Sequence, residues 1–140
     1  MRKQKLKLIF EMDSISAREV WDILMELRRR FGKLSTKLAY NSEDVDLETI
    51  EAKLDAGAKG YEIVDEYMSY HFGKVANYKQ NFLILEQQVA EPIEWQQWIE
   101  PFIDDRLVMA WIADLEYDYW QNAEDPLEYE VKGRDYSHLP

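Results

Sequence analysis

The apolar residues of this 140-residue chain change their spacing several times, and a chain that alternates between a two-residue and a 3.6-residue period must pack a sheet against helices. Lys5 to Met12 alternates, with Leu6, Leu8, Phe10 and Met12 on one face and Lys5, Lys7, Ile9 and Glu11 on the other, which predicts a half-exposed strand. The period then lengthens: Val20, Ile23, Leu24, Leu27 and Phe31 recur at helical spacing. Ser16 followed by Glu19 predicts a capping box, Ile15 and Val20 a hydrophobic staple, and Gly32 a left-handed stop. Arg28, Arg29 and Arg30 fall in the last turn, where they complement the helix dipole.

Further along, 34–40 reads as a short strand and 46–56 as a second helix with Leu47, Ile50 and Leu54 inward and Gly57 at its end. Residues 61–72 fit both periods; their aromatic content favours a strand, with Gly73 turning into the next extended stretch. Phe82, Leu83, Ile84 and Leu85 make a continuous apolar run inside 81–89, the mark of a central strand buried on both faces. Pro92 suits the first turn of a third helix with the stripe Trp95, Trp98, Ile99 and Phe102, which Pro101 should kink or end.

Residues 108–120 read as the longest strand. Val108, Ala110 and Ile112 share a face with Asp114, Glu116 and Asp118, so that face turns from apolar to acidic halfway along. A turn at 122–126 and an edge strand at 127–131 follow, and 133–140 reads as irregular. The expected fold class is α+β: one domain over 1–140 with a mainly antiparallel sheet and two to three helices packed on one side, for which a ferredoxin-like arrangement is one solution.

Charge divides the chain unevenly. Residues 91–140 hold thirteen acids against three bases, a balance of −10, whereas residues 1–90 hold fifteen against fourteen. Such regional acidity suits a surface that meets a basic partner and disfavours direct binding to nucleic acid. The absence of cysteine excludes disulfides, zinc–thiolate and iron–sulfur ligation and thiol catalysis, and weakly favours the cytoplasm. Lys5 and Lys7 interrupt the first apolar run, which argues against a signal peptide, and the sequence holds no apolar run long enough to predict a membrane-spanning helix.

Chemistry-bearing motifs are few. His71 and His138 belong to no short metal motif, no serine has a Gly-x-Ser-x-Gly context, and Gly57, Gly60 and Gly73 match no phosphate-binding loop. His71 reads as a packed or hydrogen-bonded residue, and Trp21, Trp95, Trp98 and Trp111 as core. Asp114, Glu116 and Asp118 could converge on a divalent cation or act as acid and base, but an exposed acidic face needs no catalytic role. Trp120 beyond them, with Glu124 and Asp125 in the turn, makes an aromatic flanked by carboxylates, a combination suited to clasping Arg or Lys.

The stretch 120–126 (Trp-Gln-Asn-Ala-Glu-Asp-Pro), with Gly133-Arg134 and His138-Leu139-Pro140, has the look of a family signature. In size, acidity, lack of cysteine and lack of catalytic motifs, the chain resembles immunity proteins of bacterial polymorphic and contact-dependent toxin systems. The resemblance implies a cytoplasmic protein that binds and blocks a toxin, often a basic nuclease domain, and it transfers no functional residues; from the residues themselves no catalytic role, no cofactor and no metal are expected. The expected partner-binding residues are Asp114, Glu116, Asp118, Trp120, Glu124 and Asp125. A phage- or plasmid-encoded inhibitor that mimics nucleic acid is a close variant, and a small metal-dependent or acid–base enzyme using Asp114, Glu116 and Asp118 is the rival.

Overall fold

The first strand occupies an inner position that its place in the sequence does not suggest. In the computed structural model, which describes residues 2–75 and 78–115, β1 (Gln4–Glu11) lies between β6 (Gln80–Gln87) and β7 (Leu107–Asp114). The other strands are β2 (Leu38–Tyr40), β3 (Glu43–Val45), β4 (Tyr61–Val64) and β5 (Met68–Lys74). Among the described residues they make one seven-stranded sheet in the order β3-β2-β4-β5-β6-β1-β7, with every neighbouring pair antiparallel. The fold is α+β with an antiparallel sheet. Its strand order differs from the paired βαβ units of a ferredoxin-like arrangement.

Among the described residues, three helices, α1 (Ala17–Arg30), α2 (Leu47–Asp55) and α3 (Trp95–Ile99), and a 3-10 turn (Glu100–Phe102) pack against a single face. That face is built from Leu6, Leu8 and Phe10 of β1, Leu83 and Leu85 of β6, and Tyr70 and Phe72 of β5. Each such side chain contributes about 1.5–3 kcal/mol through removal from water. Trp21 of α1 stands edge-on to Tyr61 and Tyr70, with centroids 6.2 and 6.0 Å away, and Trp98 stacks on Phe31 at 5.5 Å.

The helix ends follow local chemistry. Ser16 Oγ accepts the Glu19 N–H at 3.0 Å, but the Glu19 carboxylate does not close a capping box; it takes Arg106 Nη1 at 3.0 Å instead. Lys33 N–H to the Arg28 carbonyl, around Gly32 at φ 66°, closes α1 with a Schellman motif. The Asp46 side chain caps α2, and Gly57 at φ 94° ends it in the same way.

Several expectations need correction. The 34–40 strand is confined to β2, and β3 was not anticipated; the two are joined by Asn41 and Ser42, both at positive φ, as a two-residue hairpin turn requires. Residues 61–72 are indeed extended, but as two strands, because the Asp65 carboxylate accepts the N–H groups of Tyr67 and Met68 and turns the chain between β4 and β5. Gly73 is not a turn. It lies inside β5 opposite Phe82, where a Cβ would stand 3.1 Å from the ring. Pro92 precedes α3 rather than starting it, and Pro101 ends it by tightening the next turn into a 3-10 helix.

A bulge between β1 and β7 moves Val108 off its expected face. Phe10 pairs Leu107 while Ile9 pairs Met109, so Val108 is the extra residue and packs with Ile9 and Met109 on the face away from the helices. Trp111 also lies there, half-buried, with Lys7 Nζ 4.9 Å above its ring, rather than in the main core. His71 is exposed and packs edge-on against Phe82 at 4.8 Å.

Arg28 does more than complement a dipole. Its position, seven after Trp21 and four after Leu24, turns it inward, where it is 1% exposed. Nε donates to Asp65 Oδ2 at 3.1 Å, Tyr70 OH donates to the same oxygen at 3.2 Å, and the guanidinium lies 5.4 Å from the Trp21 ring centre. Burial, and then the Asp65 charge, push the Tyr70 phenol far above its ordinary range.

Candidate partner-binding surface

The acidic region begins before the residues that sequence singled out. After β6, the connection carries Glu91, Glu94, Glu100, Asp104 and Asp105, and all but Glu91 are exposed. Why they stay outside follows from the helix they flank: Trp95, Trp98 and Phe102 take the inward positions at helical spacing and leave the charged ones to water. Ile103 lies between Glu100 and Asp104 in sequence with 65% of its surface exposed, the most exposed of the large apolar side chains among the described residues. Sequence reasoning passed over it because Ile99 and Phe102 account for the helical stripe.

Two of the acids are held locally. Asp104 accepts Arg106 Nη2 at 2.7 Å, and this hydrogen bond holds its carboxyl below the usual carboxylate range. Lys33 pairs with Glu91. Arg106 is also tied to Glu19 and to the Ser14 carbonyl, so the connection is pinned to the start of α1. Beside Asp104 and Glu91, Glu94, Glu100, Asp105 and Ile103 line one continuous stretch of chain.

β7 delivers the chain to the predicted acidic cluster. Ala110 and Ile112 pack against the helix-side core, and Asp114 follows on the same parity with its side chain 36% exposed, so the change from apolar to acidic begins where the alternation placed it. Asp114 ends β7 opposite Gln4, with Arg2 Nη1 3.9 Å from its carboxylate. β7 is an edge strand of the described sheet, so Asp114 stands at a rim.

Asp114 is the one predicted partner-binding residue within the described residues. Glu116, Asp118, Trp120, Glu124 and Asp125 lie outside them, as do 116–120 of the expected long strand and the edge strand expected at 127–131; Leu115, the last described residue, is not part of β7, which ends at Asp114. Among the described residues, no group of three or more potential metal-ligating side chains comes together, and no helix is long and apolar enough to cross a membrane. No family model, no curated protein and no solved structure matches the chain.

Proposed function

We propose that this chain is a non-catalytic inhibitory binding protein of the immunity type, cytoplasmic and bacterial, which occupies a basic site on a partner protein through its acidic, aromatic carboxyl-terminal region. The single observation that carries this reading is the step in charge from −1 over residues 1–90 to −10 over residues 91–140. A field concentrated on one region attracts and orients a basic partner, whereas the same charge spread evenly would only keep the chain soluble.

The exposed acids between β6 and β7 support the reading from the structural side: Glu94 precedes Trp95, whose indole donates to Gln4 opposite Asp114, and Asp104 and Asp105 follow the exposed Ile103 at the other end of β7. Carboxylates supply steering and register, while a central apolar anchor supplies much of the affinity of a typical interface. Trp120 would add a second anchor suited to Arg or Lys.

The test starts with affinity capture of the partner from the source organism, followed by stopped-flow association. Charge reversal at Asp114, Glu116 and Asp118 is expected to slow association about tenfold or more at low salt, with the difference shrinking as salt rises. A basic partner whose association rate ignores all three reversals would sink this assignment.

A further inference from the structure

A cleft of about 360 Å³ opens where the end of α1, the segment before β2 and the start of α2 meet. Met25, Leu34, Leu38 and Leu47 supply apolar walls, and Leu34 at the mouth is 50% exposed. Arg28 and Asp46 also line it. Its volume lies at the small end of the range of ligand sites, which are mostly apolar with a few placed polar groups.

Arg28 gives this cleft a polar group in need of a partner. A guanidinium carries five N–H donors. Nε donates to Asp65, and Nη2 stands 3.0 Å from the same Asp65 oxygen as a charge contact without forming a hydrogen bond. Nη1 donates to Met25 Sδ at 2.9 Å, and a thioether is a weak acceptor. The forward edge of the guanidinium, where Nη1 and Nη2 each present a hydrogen, therefore has no oxygen acceptor among the described residues. Buried donors left without an acceptor are costly, so an occupant that brings an oxygen is favoured.

The charge of that oxygen follows from its surroundings. Asp65 already neutralises Arg28, and Asp46 lines the same cleft, so a carboxylate ligand would place a second acid beside one cation in a chain of net charge −11. A neutral carbonyl can accept from the fork without carrying an uncompensated charge out of water. The geometry points to a binding site for a small uncharged molecule with an apolar body and one carbonyl oxygen, such as an aliphatic amide. Its oxygen meets Arg28, and its chain lies against Met25, Leu34, Leu38 and Leu47.

Titration of the full chain with hexanamide and, separately, hexanoate, followed by two-dimensional nitrogen–proton NMR, tests the site. Saturable shifts centred on Met25, Arg28, Leu34, Leu38 and Leu47 are expected with hexanamide, and binding about tenfold weaker with hexanoate. Leu34→Asp alters an exposed wall and should weaken hexanamide about tenfold while circular dichroism stays unchanged. The double variant Arg28→Met/Asp65→Leu removes the fork together with its counter-charge and should abolish the preference for the amide over hexanoate; if it does not fold, Leu34→Asp decides. Hexanoate binding as tightly as hexanamide would overturn the neutral-ligand assignment. Scattered or non-saturating shifts with both probes, or hexanamide binding unaffected by Leu34→Asp, would overturn the site.

Discussion

Arg28 and Arg106 both grip carboxylates, yet they stand in opposite environments. Arg28 and Asp65 have side chains 1% and 0% exposed and share their site with Tyr70 and Trp21, whereas Arg106 joins Glu19 and Asp104 with all three side chains open to water. The chemistry of the pairing is the same. What differs is the dielectric around it, and this decides how much is lost when one partner is removed. A surface pair falls back on water, while a buried cation stripped of its anion has nothing to fall back on.

The largest effect expected from this contrast is in Asp65→Ala, which leaves Arg28 buried without its counter-charge and frees the N–H groups of Tyr67 and Met68; urea denaturation should show a loss of about 3–5 kcal/mol. The Arg28→Met/Asp65→Leu double variant should recover much of it, since apolar replacements leave no buried charge. If Asp65→Ala costs no more than a surface substitution, the contrast collapses.

Next in size is the alkaline limit. Burial raises the phenols of Tyr61 and Tyr70 far above their ordinary pKa near 10. A group whose pKa is raised on folding stabilises fully below the unfolded value and loses that contribution as pH climbs beyond it. One unit above pH 10 should cost about 1.4 kcal/mol for each tyrosine. Tyrosinate absorbance should accordingly show two of the phenols appearing only with unfolding. Their ionisation in the folded state would show that the cluster admits water.

The smallest effect should be Arg106→Ala, at about 1 kcal/mol or less in the same urea assay and smaller still in high salt, because its partners are solvated. A loss as large as that of Asp65→Ala would mean that Arg106 holds the connection before β7 in place through more than charge.

Where periodicity was unambiguous, sequence placed the elements well: the alternation around Leu6, Leu8 and Phe10, the stripe of α1, and the apolar run of β6 all fall within a residue or two of the observed strands and helix. The losses came where one side chain overrides a pattern. Asp65 lies on the inward parity of Tyr61 and Ile63, so its burial was readable, but an acid at a core position pointed to a partner that only the fold reveals. The hairpin at Asn41 and Ser42 lacked the glycine that usually announces such turns. The bulge at Val108 cannot be read from β7 alone, since it exists only relative to β1. As for the candidate site, the alternation in β7 correctly brought Asp114 out of the core, while Ile103 was hidden behind a stripe already complete without it.

The inner position of β1 has a consequence in time rather than in space. Its two neighbours are the sixth and seventh strands of the sheet, so the strand of this sheet that leaves a ribosome first is among the last to be paired. Until β6 and β7 emerge, Leu6, Leu8 and Phe10 have no ladder to join, and α1 has only a partial sheet to cover. Contacts so distant in sequence slow folding and prolong the exposure of apolar strands. The nascent sheet must therefore carry an unfinished core until β6 and β7 emerge, and interruptions before residue 107 release a protein that lacks the neighbour on one side of β1.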